Sequence, residues 1–88
     1  MLRKHLIIHG TVQGVGFRFR AQYAASRFNI TGWAQNLYDG SVEMEVQGEP
    51  ESIRQMLEQI RYGHFIRIEH IEEKDIPVVL ENSFTIRY

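Results

Sequence analysis

The chain has 88 residues, 43% apolar and 24% charged, and this composition predicts one globular domain spanning residues 1–88. The formal net charge of −1 lacks the basic excess of nucleic-acid-binding proteins, so no nucleic-acid partner is expected. Cysteine is absent, which excludes disulfides, thiol nucleophiles and thiolate metal ligands. No apolar run approaches the roughly 20 residues of a membrane span, and no signal peptide is evident, so we expect a cytoplasmic protein without a membrane partner. The sequence does not indicate an oligomeric state, and a monomer is the default expectation.

The first part of the chain predicts a strand, a glycine-rich turn and a helix. Leu6-Ile7-Ile8 is typical of a buried strand, expected over about residues 4–12. Apolar residues then recur at helical spacing and predict a helix over about residues 17–28: Phe17, Ala21, Ala24, Ala25 and Phe28. A second strand is expected over residues 32–37.

The remaining elements follow from turn and capping signals. Asp39-Gly40 predicts a hairpin turn, and residues 41–47 alternate between apolar and polar positions as a half-buried strand does. Pro50 and the acidic residues beside it favour a helix start, and Gly63 favours its end. Two further strands are predicted over about residues 65–71 and 83–88, with the acidic run 69–75 interpreted as a solvated strand end.

This β-α-β-β-α-β order with an added terminal strand predicts an α+β, ferredoxin-like sandwich. We expect an antiparallel sheet of four to five strands with both helices on one face. The opposite face should be wetter and should carry Glu43 and Glu45. In this arrangement the loop after the first strand and the end of the second strand meet at one edge, which brings Arg18 and Asn36 within reach of a shared ligand.

The segment from Gly10 to Arg18 predicts an anion site, most readily for phosphate. Its glycines allow backbone N–H groups to turn inward at the start of a helix, where the helix dipole favours negative charge. Arg18 and Arg20 lie in the first turn without an acidic neighbour, and an anion between them would explain two cations at the positive end of a dipole.

Two segments resemble signatures of the acylphosphatase family. Ile8-His9-Gly10-Thr11-Val12-Gln13-Gly14-Val15-Gly16-Phe17-Arg18 is similar to the family's phosphate loop, and Gly32-Trp33-Ala34-Gln35-Asn36-Leu37-Tyr38-Asp39-Gly40-Ser41-Val42 is similar to its second signature. The terminal Phe84-Thr85-Ile86-Arg87-Tyr88 is also family-like, so the resemblance spans the chain. Gln35 departs from the lysine that many members carry, and residues 63–66 lack a common proline.

The resemblance implies hydrolysis of the carboxyl–phosphate bond of a small-molecule acyl phosphate, without a metal, another cofactor or a phosphoenzyme. It implies that Arg18 binds the phosphoryl group and that Asn36 positions the attacking water. The expected substrate-binding residues lie in the loop: Gln13, Gly14, Val15, Gly16 and Phe17. Gln13 is expected to brace the loop by hydrogen bonds more than to touch substrate, and Gly14 and Gly16 to set the backbone geometry. Backbone N–H groups from about Val15 to Phe17 should donate to the phosphoryl oxygens.

The residue chemistry agrees with this expectation. Arg18 offers a planar fork of donors for phosphate oxygens. Asn36 can orient a water, but its neutral amide cannot act as a general base. We therefore expect an oxygen of the substrate's own phosphate to accept the proton, which the resemblance also implies.

Other functions are weighed against this one. A non-catalytic anion-binding regulatory module is the main alternative, although such a module has no need for the amide of Asn36. RNA binding, suggested by Gly16-Phe17-Arg18-Phe19, is disfavoured because Glu43 and Glu45 would repel a phosphate backbone. The histidines that could suggest a metal site lack ligand-like spacing: His9, His64 and His70.

Overall fold

The computed structural model describes all 88 residues, Met1–Tyr88. The elements in chain order are β1 Leu2–Thr11, α1 Phe17–Arg27, β2 Thr31–Asn36, β3 Val42–Gly48, α2 Pro50–Arg61, β4 Arg67–Ile76 and β5 Phe84–Arg87. The strands form one sheet in the order β4-β1-β3-β2-β5. The ferredoxin-like α+β prediction is confirmed. Neither helix has both the length and the apolar character that crossing a bilayer requires.

The core lies between the helices and one face of the sheet. Alternate residues of the central strands point to this face, because side chains on a strand alternate between its two sides. Leu6 of β1 is paired with Met44 of β3, and both are fully buried. The helices complete a cluster of 16 buried residues, to which α2 contributes a stripe at helical spacing: Ile53, Met56 and Ile60.

The outer face of the sheet is polar, as predicted, and residues 77–83 cross it. Glu43 and Glu45 lie on this face. The crossing segment is held where Gln47 accepts a hydrogen bond from Val79 N at 2.9 Å and donates to Val79 O at 2.8 Å. Since β4 and β5 lie at opposite edges of the sheet, this segment connects the two edges.

Two strand predictions need correction. β4 does not end near residue 71 but continues to Ile76, because β1 is ten residues long and pairs with it as far as Arg3 opposite Ile76. The acidic run 69–75 is therefore the body of an exposed edge strand. The sheet is also mixed, since β5 runs parallel to β2 while the other neighbours are antiparallel.

Candidate active site

Three strand ends meet at one edge of the sheet. β1 and β2 are both antiparallel to β3, and β5 is parallel to β2, so all three run in the same direction. Their carboxyl ends bring together the loop after β1, Asn36 at the end of β2 and Arg87 at the end of β5. The sequence predicts the first two of these neighbours, and the structure adds the third.

The loop after β1 leaves a row of backbone donors free. Gly14 and Gly16 adopt φ values of 75° and 76°, in the left-handed region that glycine reaches without strain. Gly16 caps α1, and the helical hydrogen bonds start with Arg20 N donating to Gly16 O at 3.0 Å. The backbone N–H groups of residues 14–19 donate to no group of the protein. Such a row of N–H groups at a helix N-terminus attracts an anion.

Arg18 is half-buried in the first turn of α1 and is positioned by the end of the chain. Its Nη1 donates to Arg87 O at 3.1 Å, and its guanidinium carbon lies 5.0 Å from the centroid of the Tyr88 ring. A carbonyl and an aromatic ring orient the guanidinium without neutralising it. Its remaining N–H groups are available to a phosphate.

Asn36 ends β2 at the start of a rigid turn. Its side chain is exposed, and its backbone pairs with Val42. Beyond it, Asp39 accepts hydrogen bonds from the N–H of Ser41 at 3.0 Å and from its Oγ at 2.5 Å, and these bonds lower the pKa of Asp39. The turn therefore fixes the backbone around Asn36 and leaves its amide free.

Gln13 connects the loop to this turn. Its Nε2 donates to Leu37 O at 2.7 Å and to Ser41 O at 2.8 Å. This is the bracing contact predicted for Gln13, and it occupies both hydrogens of the amide nitrogen. The loop after β1 and the strand end that carries Asn36 are thus held at a fixed separation.

A cavity of about 200 Å³ lies between these elements. It is lined by Val12, Gly14, Gly16, Phe17, Arg18, Phe19 and Asn36. The two residues expected to carry the chemistry, Arg18 and Asn36, therefore share one cavity with the loop glycines. Phe19 and the contact with Arg87 escaped the sequence analysis, since only the family-like terminal segment hinted at the role of the last strand.

The two larger cavities lie away from this edge. One, of about 480 Å³, has no charged residue in its lining. The other, of about 450 Å³, lies between the helices and is lined by Arg20, Arg27 and Arg54 among others, but also by Glu58. Neither contains the free N–H groups of the loop.

The prediction that an anion lies between Arg18 and Arg20 is wrong. Arg20 turns towards α2, where its Nε donates to Gln59 O at 3.0 Å. Residues two apart on a helix point in nearly opposite directions, so these two side chains cannot face one ligand.

The histidines form pairs rather than a metal centre. His9 and His70 stack with ring centroids 5.7 Å apart, and His9 Nε2 lies 2.6 Å from an oxygen of Glu72. His64 packs against Phe65 instead. No three histidine, aspartate or glutamate side chains are arranged to hold a metal ion.

Known proteins resemble this chain over nearly its full length. The acylphosphatase family model matches residues 4–86. An acylphosphatase of Clostridium perfringens is 49% identical over 79 residues, covering 89% of each chain. That of Geobacillus thermodenitrificans is 42% identical over 91 residues, covering all of this chain and 96% of its own. The crystal structure of acylphosphatase from Bacillus subtilis superposes with a TM-score of 0.90 at 31% identity, covering 100% of both chains.

Proposed function

This chain belongs to the acylphosphatase family and is an acylphosphatase hydrolase, and from that premise we propose that Arg18 binds the phosphoryl group of an acyl phosphate and Asn36 positions the attacking water. The observation that carries the proposal is the shared cavity, which Arg18, Asn36, Gly14 and Gly16 all line. Neither of the two larger cavities joins a free guanidinium, free N–H groups and a neutral amide.

The phosphoryl group binds at the start of α1. Backbone N–H groups between Gly14 and Phe17 and the guanidinium of Arg18 donate to its non-bridging oxygens. Charge that spreads over these oxygens in the transition state meets donors that are already in place, so little reorganisation is needed.

The water is held by the Asn36 side chain and attacks phosphorus in line with the acyl oxygen. A P–O bond forms to the water, the P–O bond to the acyl group breaks, and the acyl group leaves as a carboxylate with the bonding electron pair. The water's proton passes to a phosphate oxygen, because the amide of Asn36 is not a base. The carboxylate is a good leaving group and needs no general acid.

The test is hydrolysis of benzoyl phosphate by the wild type and by Asn36→Ala, with a chelator present. We expect hydrolysis by the wild type and a loss of about 10³-fold or more in kcat for the variant, with inorganic phosphate still bound because Arg18 and the loop remain. Full activity in Asn36→Ala contradicts the role of Asn36. Binding of phosphate without hydrolysis by the folded wild type favours the regulatory module instead.

The pH profile tests the proton route. With the substrate as proton acceptor, we expect a nearly flat rate from mildly acidic to neutral pH. A steep dependence near the ordinary histidine pKa of about 6.5 would contradict this proton route.

A further inference from the structure

The apolar part of the cavity lining suggests where the acyl group of the substrate lies. Three hydrophobic residues line the cavity: Val12, Phe17 and Phe19. Val12 and Phe17 are 1% and 2% exposed and are part of the core, whereas Phe19 is 61% exposed. Among the residues that line the cavity, Phe19 is therefore the one whose side chain presents a large apolar surface to solvent.

The ring of Phe19 makes no aromatic pair and no cation–π contact within the protein. The aromatic pairs are His9 with His70 and His64 with Phe65, and the rings that contact an arginine belong to Tyr88, Phe28 and Trp33. An exposed phenylalanine costs free energy in water, so a ligand that covers it gains from the contact.

The reaction geometry requires a surface of this kind. In-line displacement places the acyl oxygen opposite the attacking water, so the acyl group leaves the cavity away from the amide of Asn36. Phe19 follows Arg18 directly in the first turn of α1, on a different element from Asn36. The remaining lining consists of two glycines and the two polar residues, none of which offers an apolar side chain.

We propose that Phe19 is the contact surface for the acyl group, so that this enzyme favours acyl phosphates with a flat, apolar acyl group over those with a small one. The inference rests on the proposed function, because the phosphoryl group must lie beside Arg18 for the acyl group to reach Phe19. A benzoyl ring can lie against the phenylalanine ring, whereas an acetyl group covers little of it.

The experiment compares kcat/KM for benzoyl phosphate and acetyl phosphate in the wild type, Phe19→Ala and Tyr23→Ala. Tyr23 is the matched control, since it lies one turn further along α1, is 63% exposed and does not line the cavity. We expect Phe19→Ala to lower kcat/KM for benzoyl phosphate about tenfold, as loss of roughly 55 Å² of apolar contact implies, and that for acetyl phosphate less than about twofold. Inhibition by inorganic phosphate should be unchanged, and Tyr23→Ala should resemble the wild type.

Three results would overturn the assignment of Phe19: an unchanged ratio of the two substrates in Phe19→Ala, an equal loss on both, or the same selective loss in Tyr23→Ala. None of these results would contradict the proposed roles of Arg18 and Asn36. Conversely, a selective loss in Phe19→Ala together with full activity in Asn36→Ala supports the acyl-group contact and contradicts the water-positioning role alone.

Discussion

Arg3 on the outer face of the sheet and Arg18 at the start of α1 differ in what surrounds their guanidinium groups. Arg3 is 4% exposed and donates to Glu45 at 2.8 Å, to Glu81 at 2.7 Å and to Gln47 at 3.1 Å. Arg18 touches a backbone carbonyl and an aromatic ring, beside a row of free N–H groups. The first charge is neutralised within the protein, whereas the second pairs with no carboxylate of the protein. The partners of an arginine, more than its exposure, thus distinguish Arg3 from Arg18, the residue proposed to bind the phosphoryl group.

The largest effect should come from removing the free charge. Arg18→Gln is expected to lower kcat/KM by about 10³-fold, or about 4 kcal/mol, because the transition state loses a charged, two-pronged donor. Since Arg18 pairs with no carboxylate, the melting temperature should change little. Steady-state kinetics measure the loss of kcat/KM, and thermal unfolding measures the melting temperature. A large drop in stability with activity retained would reverse the assignment of the two arginines.

Arg3→Met is expected to lower the stability and to leave the activity nearly unchanged, the reverse of Arg18→Gln. Removing the guanidinium leaves Glu45 and Glu81 without their partner in a partly buried site, which should cost about 3 kcal/mol of unfolding free energy and lower the melting temperature by about 10 °C or more. At temperatures where the variant is folded, kcat should stay within about twofold of the wild type. The double variant Arg3→Met/Glu81→Gln should recover part of the loss, and unchanged stability in Arg3→Met would contradict the account.

Gln13→Ala is expected to have a smaller effect, which lowers both the folding stability and the catalytic activity. Loss of its two bonds to the β2–β3 turn should cost about 1–2 kcal/mol of stability. It should also lower kcat/KM about tenfold, because the loop is no longer held at its distance from Asn36. Gln22→Ala is the control, since Gln22 also donates to a backbone carbonyl, Phe84 O at 3.3 Å, but outside the site. Equal losses of activity in both variants would argue against a specific brace.

The smallest expected effect is a loss of folding stability at acidic pH that depends on Glu81. Burial raises the pKa of Glu81, but hydrogen bonds from Arg3 and Thr31 outweigh it and leave this pKa lowered. A lowered folded-state pKa stabilises the fold above the ordinary carboxyl pKa of about 4.3, and this contribution is lost as the pH falls through the folded-state value. Urea unfolding from about pH 7 to pH 3 should therefore show a loss of stability below about pH 5 that is shallower in Arg3→Met. Parallel profiles for the two proteins would contradict this linkage.

The features that could be predicted from the sequence are those that depend on the pattern of neighbouring residues. The alternation of Val42, Met44 and Val46 indicated both the third strand and its buried face, and the glycines before Arg18 indicated a turn from strand to helix. Asn36 required the family resemblance, since an asparagine before a turn is usually a turn former.

What the sequence did not predict depends on long-range contacts. The sequence of the second half of β4 shows no alternation of apolar and polar residues, because both faces of this part of the strand are largely exposed. Only its pairing with β1 defines it as a strand. The parallel direction of β5 follows from the crossing segment that Gln47 and Arg3 hold on the outer face. That direction brings Arg87 to Arg18, a contact between residues 69 apart in the chain.

The central claim is that Arg18 and the free N–H groups of residues 14–19 form the phosphate site, and a ¹⁵N-resolved NMR titration with inorganic phosphate tests it most directly. We expect the amide signals of residues 14–19 to shift together, the Nε–H signal of Arg3 to stay in place, and binding to weaken at least about tenfold in Arg18→Gln. Shifts centred instead on Arg20, Arg27 and Arg54 between the helices, or phosphate binding unchanged in Arg18→Gln, would contradict the account.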